Sequence, residues 1–245
     1  MSHALVTGGG SGIGRAIALA LAETGVAVTI CGRRADALRA VEHPRVHSIV
    51  ADVTDPVSIA ALYDEAQTAH GRFDIVVANA GASASAPATK VTLDDWRSAL
   101  DINLTGAFLT VQPALAAMTA AGSGRIVFVA STAGLKGYPY VAPYVAAKHG
   151  VIGLMRALAA ETAKSGVTVN AVCPGFAETE MLARSIDAIA AKTGRSDTEA
   201  RAALANPQGR FVTPDEVAGA VLWLVSDAAR SVTGQAISIS GGETW

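Results

Sequence analysis

The sequence predicts an α/β fold: a doubly wound, seven-stranded parallel sheet (Rossmann-like) with helices on both faces and a helical lid. Three observations carry this. Short apolar, β-branched runs alternate with Ala-rich helical stretches along the whole chain. The runs are continuous rather than alternating apolar and polar, as in a sheet buried on both faces. A glycine-rich turn joins the first run to the first helical stretch, where parallel sheets of this kind hold phosphate groups.

In chain order, "ALVT" from Ala4 is the first strand, followed by "GGGSGIG" as a turn. "IGRAIALALAETG" is a helix that stops near Gly25, because glycine readily takes the left-handed conformation that closes a helix. "VAVTIC" from Val26 and "RVHSIV" from Arg45 are the second and third strands. "PVSIAALYDEAQTAHG" is the helix before the fourth strand in "FDIVVANAG". Two Ala- and Leu-rich helices run through Met118, ahead of the fifth strand in "GRIVFVAS". A helix carrying Tyr144 and Lys148 precedes "VTVNAVCPG", and "QAISISGG" closes the sheet. Residues 180–210 break this rhythm. They are polar, charged and Ala-rich, and are expected to form a helical insertion over the carboxyl ends of the strands, where a substrate lid would sit.

The chain has 245 residues, of which 51% are hydrophobic and 16% charged. That suits one dinucleotide-binding and catalytic unit spanning 1–245, cored by Ala, Val, Leu and Ile. A net charge of -2 gives no reason to expect nucleic acid or an anionic membrane as partner. Cys31 and Cys173 lie inside apolar runs and are expected to be small buried hydrophobes. No disulfide framework or metal cluster is legible, which suits a reducing, cytoplasmic setting. No charged-then-apolar leader precedes the first strand, and the apolar stretches read as too short, or too interrupted by charge, to span a bilayer.

In the glycine turn, Gly8, Gly12 and Gly14 are spaced three-between and one-between rather than as G-x-G-x-x-G. The mechanics are expected to be shared: a tight turn through Ser11 and Ile13, and a helix N-terminus facing a pyrophosphate. Farther on, Tyr144 and Lys148 stand four residues apart, which on a helix puts them on one face.

Taken together these motifs resemble the short-chain dehydrogenase/reductase family over essentially all 245 residues. They are "TGGGSGIG" from Thr7, Asn79-Ala80-Gly81, Asn103 in "DINLTG", Ser131, "YVAAK" from Tyr144, and Pro174-Gly175. Residues 130–181 are also similar to type II polyketide ketoreductases and 3-oxoacyl reductases. Two departures stand out. Ala78 replaces an Asn common in the family, and the loop "ASASAPATK" from Ala82 lacks the Pro-Gly-Gly of many polyketide enzymes. The resemblance implies hydride transfer between a nicotinamide cofactor and a carbonyl or secondary alcohol. It implies roles for Asn103 in a water relay toward Lys148, for Asp52 and Val53 at the adenine, and for Thr179 at the nicotinamide amide.

That chemistry gives the Tyr–Lys pair a task, because hydride transfer to a ketone leaves an alkoxide that needs a proton. A free phenol has a pKa of about 10. A cation about 4 Å away would favour tyrosinate by up to roughly 4 kcal/mol at an effective dielectric near 20. Tyr144 is therefore expected to titrate near neutrality beside Lys148, with Ser131 holding the carbonyl oxygen. Tyr144 and Lys148 are also expected to contact the cofactor, Lys148 at the ribose hydroxyls.

After the second strand the chain reads Gly32-Arg33-Arg34-Ala35-Asp36. An NAD enzyme commonly places an acidic residue at that strand end for the ribose 2′-hydroxyl. Two arginines there suit a 2′-phosphate, so NADP(H) is expected over NAD(H), with the reductive direction. An NAD-dependent secondary alcohol or 3-hydroxyacyl-CoA dehydrogenase remains the alternative, with a non-catalytic dinucleotide-binding regulator behind it. "GAFLTVQPALAAM" and "VIGLMRALAA" are apolar on more than one face. With the tetramers common in the family, this implies a homotetramer or a dimer.

Overall fold

The protein is represented by a computed structural model that describes residues 2–244, with the backbone only at Ala188. Met1 and Trp245, the ends of the expected 1–245 unit, lie outside the described residues. Seven strands form one sheet: β1 (His3–Thr7), β2 (Ala27–Gly32), β3 (Val46–Val50), β4 (Ile75–Ala78), β5 (Gly124–Val129), β6 (Val167–Pro174) and β7 (Ala236–Ile239). Their order is β3-β2-β1-β4-β5-β6-β7, and every pairing is parallel. The order reverses between β1 and β4, which opens a crevice at the carboxyl ends of the strands.

The helices are α1 (Gly12–Glu23), α2 (Ala35–Arg39), α3 (Pro56–His70), α4 (Leu93–Leu100), α5 (Gly106–Ala121), α6 (Ala142–Thr162), α7 (Glu180–Thr193), α8 (Asp197–Leu204) and α9 (Pro214–Val225). Alternate residues of one strand feed opposite faces of the sheet. Leu5 joins the layer made by α3, α5 and α6, whereas Ala4 and Val6 join the layer made by α1 and α9. This two-sided burial is why the central strands read as unbroken apolar runs. The outer strand β3 is largely exposed.

Capping boxes mark helix starts. Thr213 and Glu216 form a capping box that starts α9, and Thr92 with Asp95 does the same for α4. The two helices read before Met118 are in fact continuous, because a π-turn over Asp101–Thr105 joins α4 to α5. The joined run Leu93–Ala121 has 29 residues and is long and apolar enough to cross a membrane by length and composition alone, with 33% of its most apolar window buried. The expectation of short, interrupted apolar stretches therefore fails here: the charges end at Asp101, and the π-turn carries the helix through. Ala107, Val111, Ala114 and Met118 of this run belong to the core beneath the sheet.

The 180–210 insertion is helical as expected. It holds α7 and α8, packed around a cluster of Leu182, Ile186, Ala200 and Phe211 that is separate from the two main layers.

Candidate active site

The glycine turn sits at the carboxyl end of β1. Gly8 (φ 67°) and Gly12 (φ 52°) take left-handed conformations that side chains disfavour. A Cβ on Gly14 would lie 2.4 Å from Asn79 Nδ2 and from the Gly8 carbonyl oxygen, so the turn closes only with glycine there. Ser11 precedes α1 without capping it through its side chain, and the first turn of α1 carries no acidic residue. The uncapped N–H groups and the positive end of the helix dipole suit a pyrophosphate. Ile13 packs its side chain against the α1 layer.

Asn79 fastens the next strand to this turn. Its Nδ2 donates to Thr7 O at 2.8 Å, and the backbone N–H groups of Asn79 and Ala80 both donate to Thr7 Oγ1. Gly81 follows where Asn103 and Lys148 converge. A Cβ on Gly81 would lie 2.7 Å from Asn103 Oδ1 and 3.6 Å from Lys148 Nζ. Asn103 is buried in the π-turn, where its Nδ2 donates to the carbonyls of Ala82 (2.8 Å) and Ala99 (2.9 Å). A π-turn in an α-helix is a common device for turning one residue into a site.

Ser131 lies two residues past β5. Its hydroxyl accepts from the Ala133 N–H at 3.1 Å and caps a short 3₁₀ turn. Tyr144 and Lys148 share one face of α6 as their spacing requires, with Nζ 5.6 Å from the Tyr144 ring centroid. Lys148 is buried and donates to Val129 O at 2.9 Å.

The electrostatics differ from the expectation. Burial pushes the Tyr144 phenol above its ordinary value, with the neighbouring Ser131 hydroxyl opposing the rise. Burial also pushes Lys148 down to about 8. Tyr144 is thus held protonated rather than brought toward neutrality, because desolvation outweighs the Ser131 hydrogen bond that favours the phenolate. Cys173 of β6 lies close enough to feel Lys148, and burial raises its thiol to about 11.

Arg34 extends over the glycine turn and donates from Nη2 to Ser11 Oγ at 3.1 Å. Its Nη1 lies 3.5 Å from Glu180 at the start of α7, an exposed pair that sequence reading did not foresee. Arg33, beside Arg34 in the chain, lines an open cleft of about 410 Å³ together with Thr54, Arg97 and Asp101. Asp52 closes an Asx turn by accepting from Thr54 N and Oγ1, and these bonds hold its carboxyl below the usual range. Val53 is buried against Gly106. Pro174 ends β6, and the Gly175 N–H donates to Ile239 O at 3.0 Å. Thr179 begins α7 with its methyl against Gly12, so the insertion starts directly beside the glycine turn.

A family model for short chain dehydrogenases matches residues 2–190. The chain belongs to the short-chain dehydrogenase family. A protein of the granaticin polyketide synthase of Streptomyces violaceoruber, named as a ketoacyl reductase, is 42% identical over 98% of this chain and 92% of its own length. The cis-4-hydroxycyclohexanecarboxylate dehydrogenase of Sinomonas cyclohexanicum is 43% identical over 98% of this chain and 96% of its own. A crystal structure of an actinorhodin polyketide ketoreductase variant with NADPH matches with a TM-score of 0.95 at 37% identity, covering 99% of this chain and 97% of that one. As a short-chain dehydrogenase, this protein is an oxidoreductase that works between ketones and alcohols with a nicotinamide cofactor.

Proposed function

We propose that this short-chain dehydrogenase reduces a ketone or 3-oxoacyl substrate with NADP(H) in preference to NAD(H). The observation that carries the cofactor choice is the end of β2. Gly32 stands where an acidic residue would take a ribose hydroxyl, and Arg34 already leans over the glycine turn through Ser11. Its contact with Glu180 is an exposed pair at 3.5 Å, weak enough for a phosphate dianion to replace. Asp36 sits in the first turn of α2 rather than at the strand end.

A nicotinamide cofactor bound along this crevice supplies the hydride. Gly8, Ser11, Gly12, Ile13 and Gly14 present the backbone that its pyrophosphate would meet, with Arg33 and Arg34 at the 2′-phosphate. Asp52 and Val53 would meet the adenine, and Asn79, Ala80, Gly81, Pro174, Gly175 and Thr179 the nicotinamide end. Tyr144, protonated at neutral pH, gives its proton to the substrate oxygen, and Ser131 Oγ holds that same oxygen. Lys148, cationic below about 8, stabilises the phenolate left on Tyr144. Asn103 orders the surroundings of Lys148 and supports proton return along a water relay. A phenol kept protonated suits reduction, which consumes that proton.

Residues 180–210 act as the substrate lid. Their separate hydrophobic cluster lets them move as a unit, and Lys192 reaches Ser85 O in the loop across the crevice at 3.1 Å. We place the enzyme in the cytoplasm as a homotetramer. The joined helix Leu93–Ala121 turns Trp96 and Phe108 outward, 38% and 37% exposed, as a second copy would require. Light scattering that shows a monomer at micromolar concentration would refute the assembly.

The cofactor test compares kcat/KM for NADPH and NADH in the wild type, Arg33→Ala and Arg34→Ala. Losing charge-assisted bonds to the phosphate is expected to reduce NADPH efficiency about 10- to 100-fold and leave NADH unchanged. A relative named D-beta-hydroxybutyrate dehydrogenase, from Cupriavidus necator and 39% identical, supports the alternative of hydroxy-acid oxidation. A wild type that prefers NADH, or variants equally weak with both cofactors, would favour that alternative.

A further inference from the structure

The segment between Ser131 and Tyr144 is held by a residue far away in the chain. Glu243 follows β7, and its carboxylate accepts the O–H of Tyr138. The same oxygen lies 3.3 Å from Lys136 Nζ, which also donates to the Glu243 backbone carbonyl at 3.3 Å. Lys136 Nζ stands 4.9 Å over the Tyr138 ring. The Tyr138 hydroxyl also lies 2.7 Å from Thr132 Oγ1, and its ring meets Phe176 edge-on at 6.2 Å between centroids. The second carboxylate oxygen is buried against Gly175, where a Cβ would come within 2.6 Å. One carboxylate thus ties the loop between Ser131 and Tyr144 to the segment after β7 while packing against the Pro-Gly turn after β6.

Tyr138 and Tyr144 therefore both stand at this end of the sheet, close enough for Tyr144 to influence the titration of Tyr138. Only one can serve as proton donor without competition. The O–H of Tyr138 is committed to Glu243, and burial with that bond keeps it protonated. Tyr144 has no such partner and faces Ser131. The loop carrying Tyr138 also contains Tyr140 in a left-handed conformation (φ 68°), a geometry that lasts only where the surroundings enforce it.

We propose that Glu243 is a positioning residue: through Tyr138 and Lys136 it fixes the wall against which the ketone's carbon skeleton packs, and it turns the second phenol away from the reacting oxygen. The inference rests on reading Tyr144 as the acid. Removing the carboxylate leaves Tyr138 only its Thr132 contact and Lys136 only the Glu243 backbone carbonyl, so loss should appear first in ketone binding. Glu243 meets the expected cofactor turn only by packing against Gly175, whose N–H stays bonded to Ile239 O, so cofactor affinity should be spared.

The test uses the intact enzyme and the ketone that the wild type reduces best in a panel of cyclic and linear ketones. Glu243→Ala is expected to raise KM for the ketone about tenfold, with kcat reduced by less and the NADPH dissociation constant within about twofold. Glu243→Gln keeps an acceptor for Tyr138 and should restore KM to within about threefold of wild type. Tyr138→Phe keeps the ring and should reproduce most of the KM rise. The Glu243→Ala/Tyr138→Phe double variant should be no worse than the worse single, because both remove one interaction. A folded Glu243→Ala enzyme with wild-type KM, an equally impaired Glu243→Gln, or additive effects in the double variant would overturn the proposal. Should Glu243→Ala fail to fold, an unchanged KM in Tyr138→Phe overturns it just as well. Tyr144→Phe is measured alongside: if that variant stays active, the acid assignment fails, whatever Glu243 does.

Discussion

Replacing Lys148 with methionine should make the enzyme more stable at neutral pH while nearly silencing it. Lys148 is 4% exposed, and burial lowers its pKa from 10.5 to about 8. Holding the cation at pH 7 thus costs the fold about 3 kcal/mol. Methionine removes that penalty but leaves Val129 O without its 2.9 Å donor, a loss of about 1–3 kcal/mol. The net gain is about 1 kcal/mol, or about 2–4 °C in Tm for a chain of this size. The sign reverses with pH. Between about 8 and 10.5 the unfolded chain keeps the proton that the folded one has lost, so the wild type alone gains stability as pH rises. Urea unfolding at pH 7 and pH 10 should show the methionine variant ahead at the first and behind at the second. In activity, a cation 5.6 Å from the Tyr144 ring is worth at most about 3 kcal/mol to a developing phenolate at an effective dielectric near 20, so ketone reduction should fall by up to about 100-fold. A methionine variant that is less stable than wild type by the same margin at both pH values would refute the reasoning.

Tyr144→Phe should cut turnover by at least about 100-fold, as loss of a general acid does, while fluorescence titration finds NADPH binding largely kept. Wild-type ketone reduction should decline as pH rises through about 8, as Lys148 loses its charge; a flat profile from 7 to 9 would exclude a role for that charge. At the opposite end of the sheet, His3 is buried, bonded through its ring to Gly71 O and Thr29 Oγ1, and its pKa is lowered by burial, with His70 and His47 adding to the shift. Its contribution is complete above the unfolded value of 6.5 and is lost as pH falls through the lower folded value, so Tm should drop in mild acid, and less steeply in His3→Gln.

The sequence by itself determined the sheet, because each central strand is buried on both faces and must be apolar throughout. It also determined the glycine turn and the Tyr144–Lys148 pairing, since both are local: the first depends on backbone conformations open to glycine, the second on one turn of helix. It placed Ser131 near the end of β5 for the same reason. Other features depend on contacts between residues far apart in the chain. The π-turn that carries Asn103 and fuses α4 to α5 leaves no mark in hydrophobic spacing, and it made two expected helices one. The titration of Tyr144 was misjudged because spacing gives the distance to a cation but not the depth of burial, and here desolvation prevails. The pairing of Arg34 with Glu180 joins residues 146 positions apart, and Glu243 reaches Tyr138 across 105. Only the closing of the sheet brings such groups together, and the pairwise chemistry of the site follows from that packing rather than from local propensity.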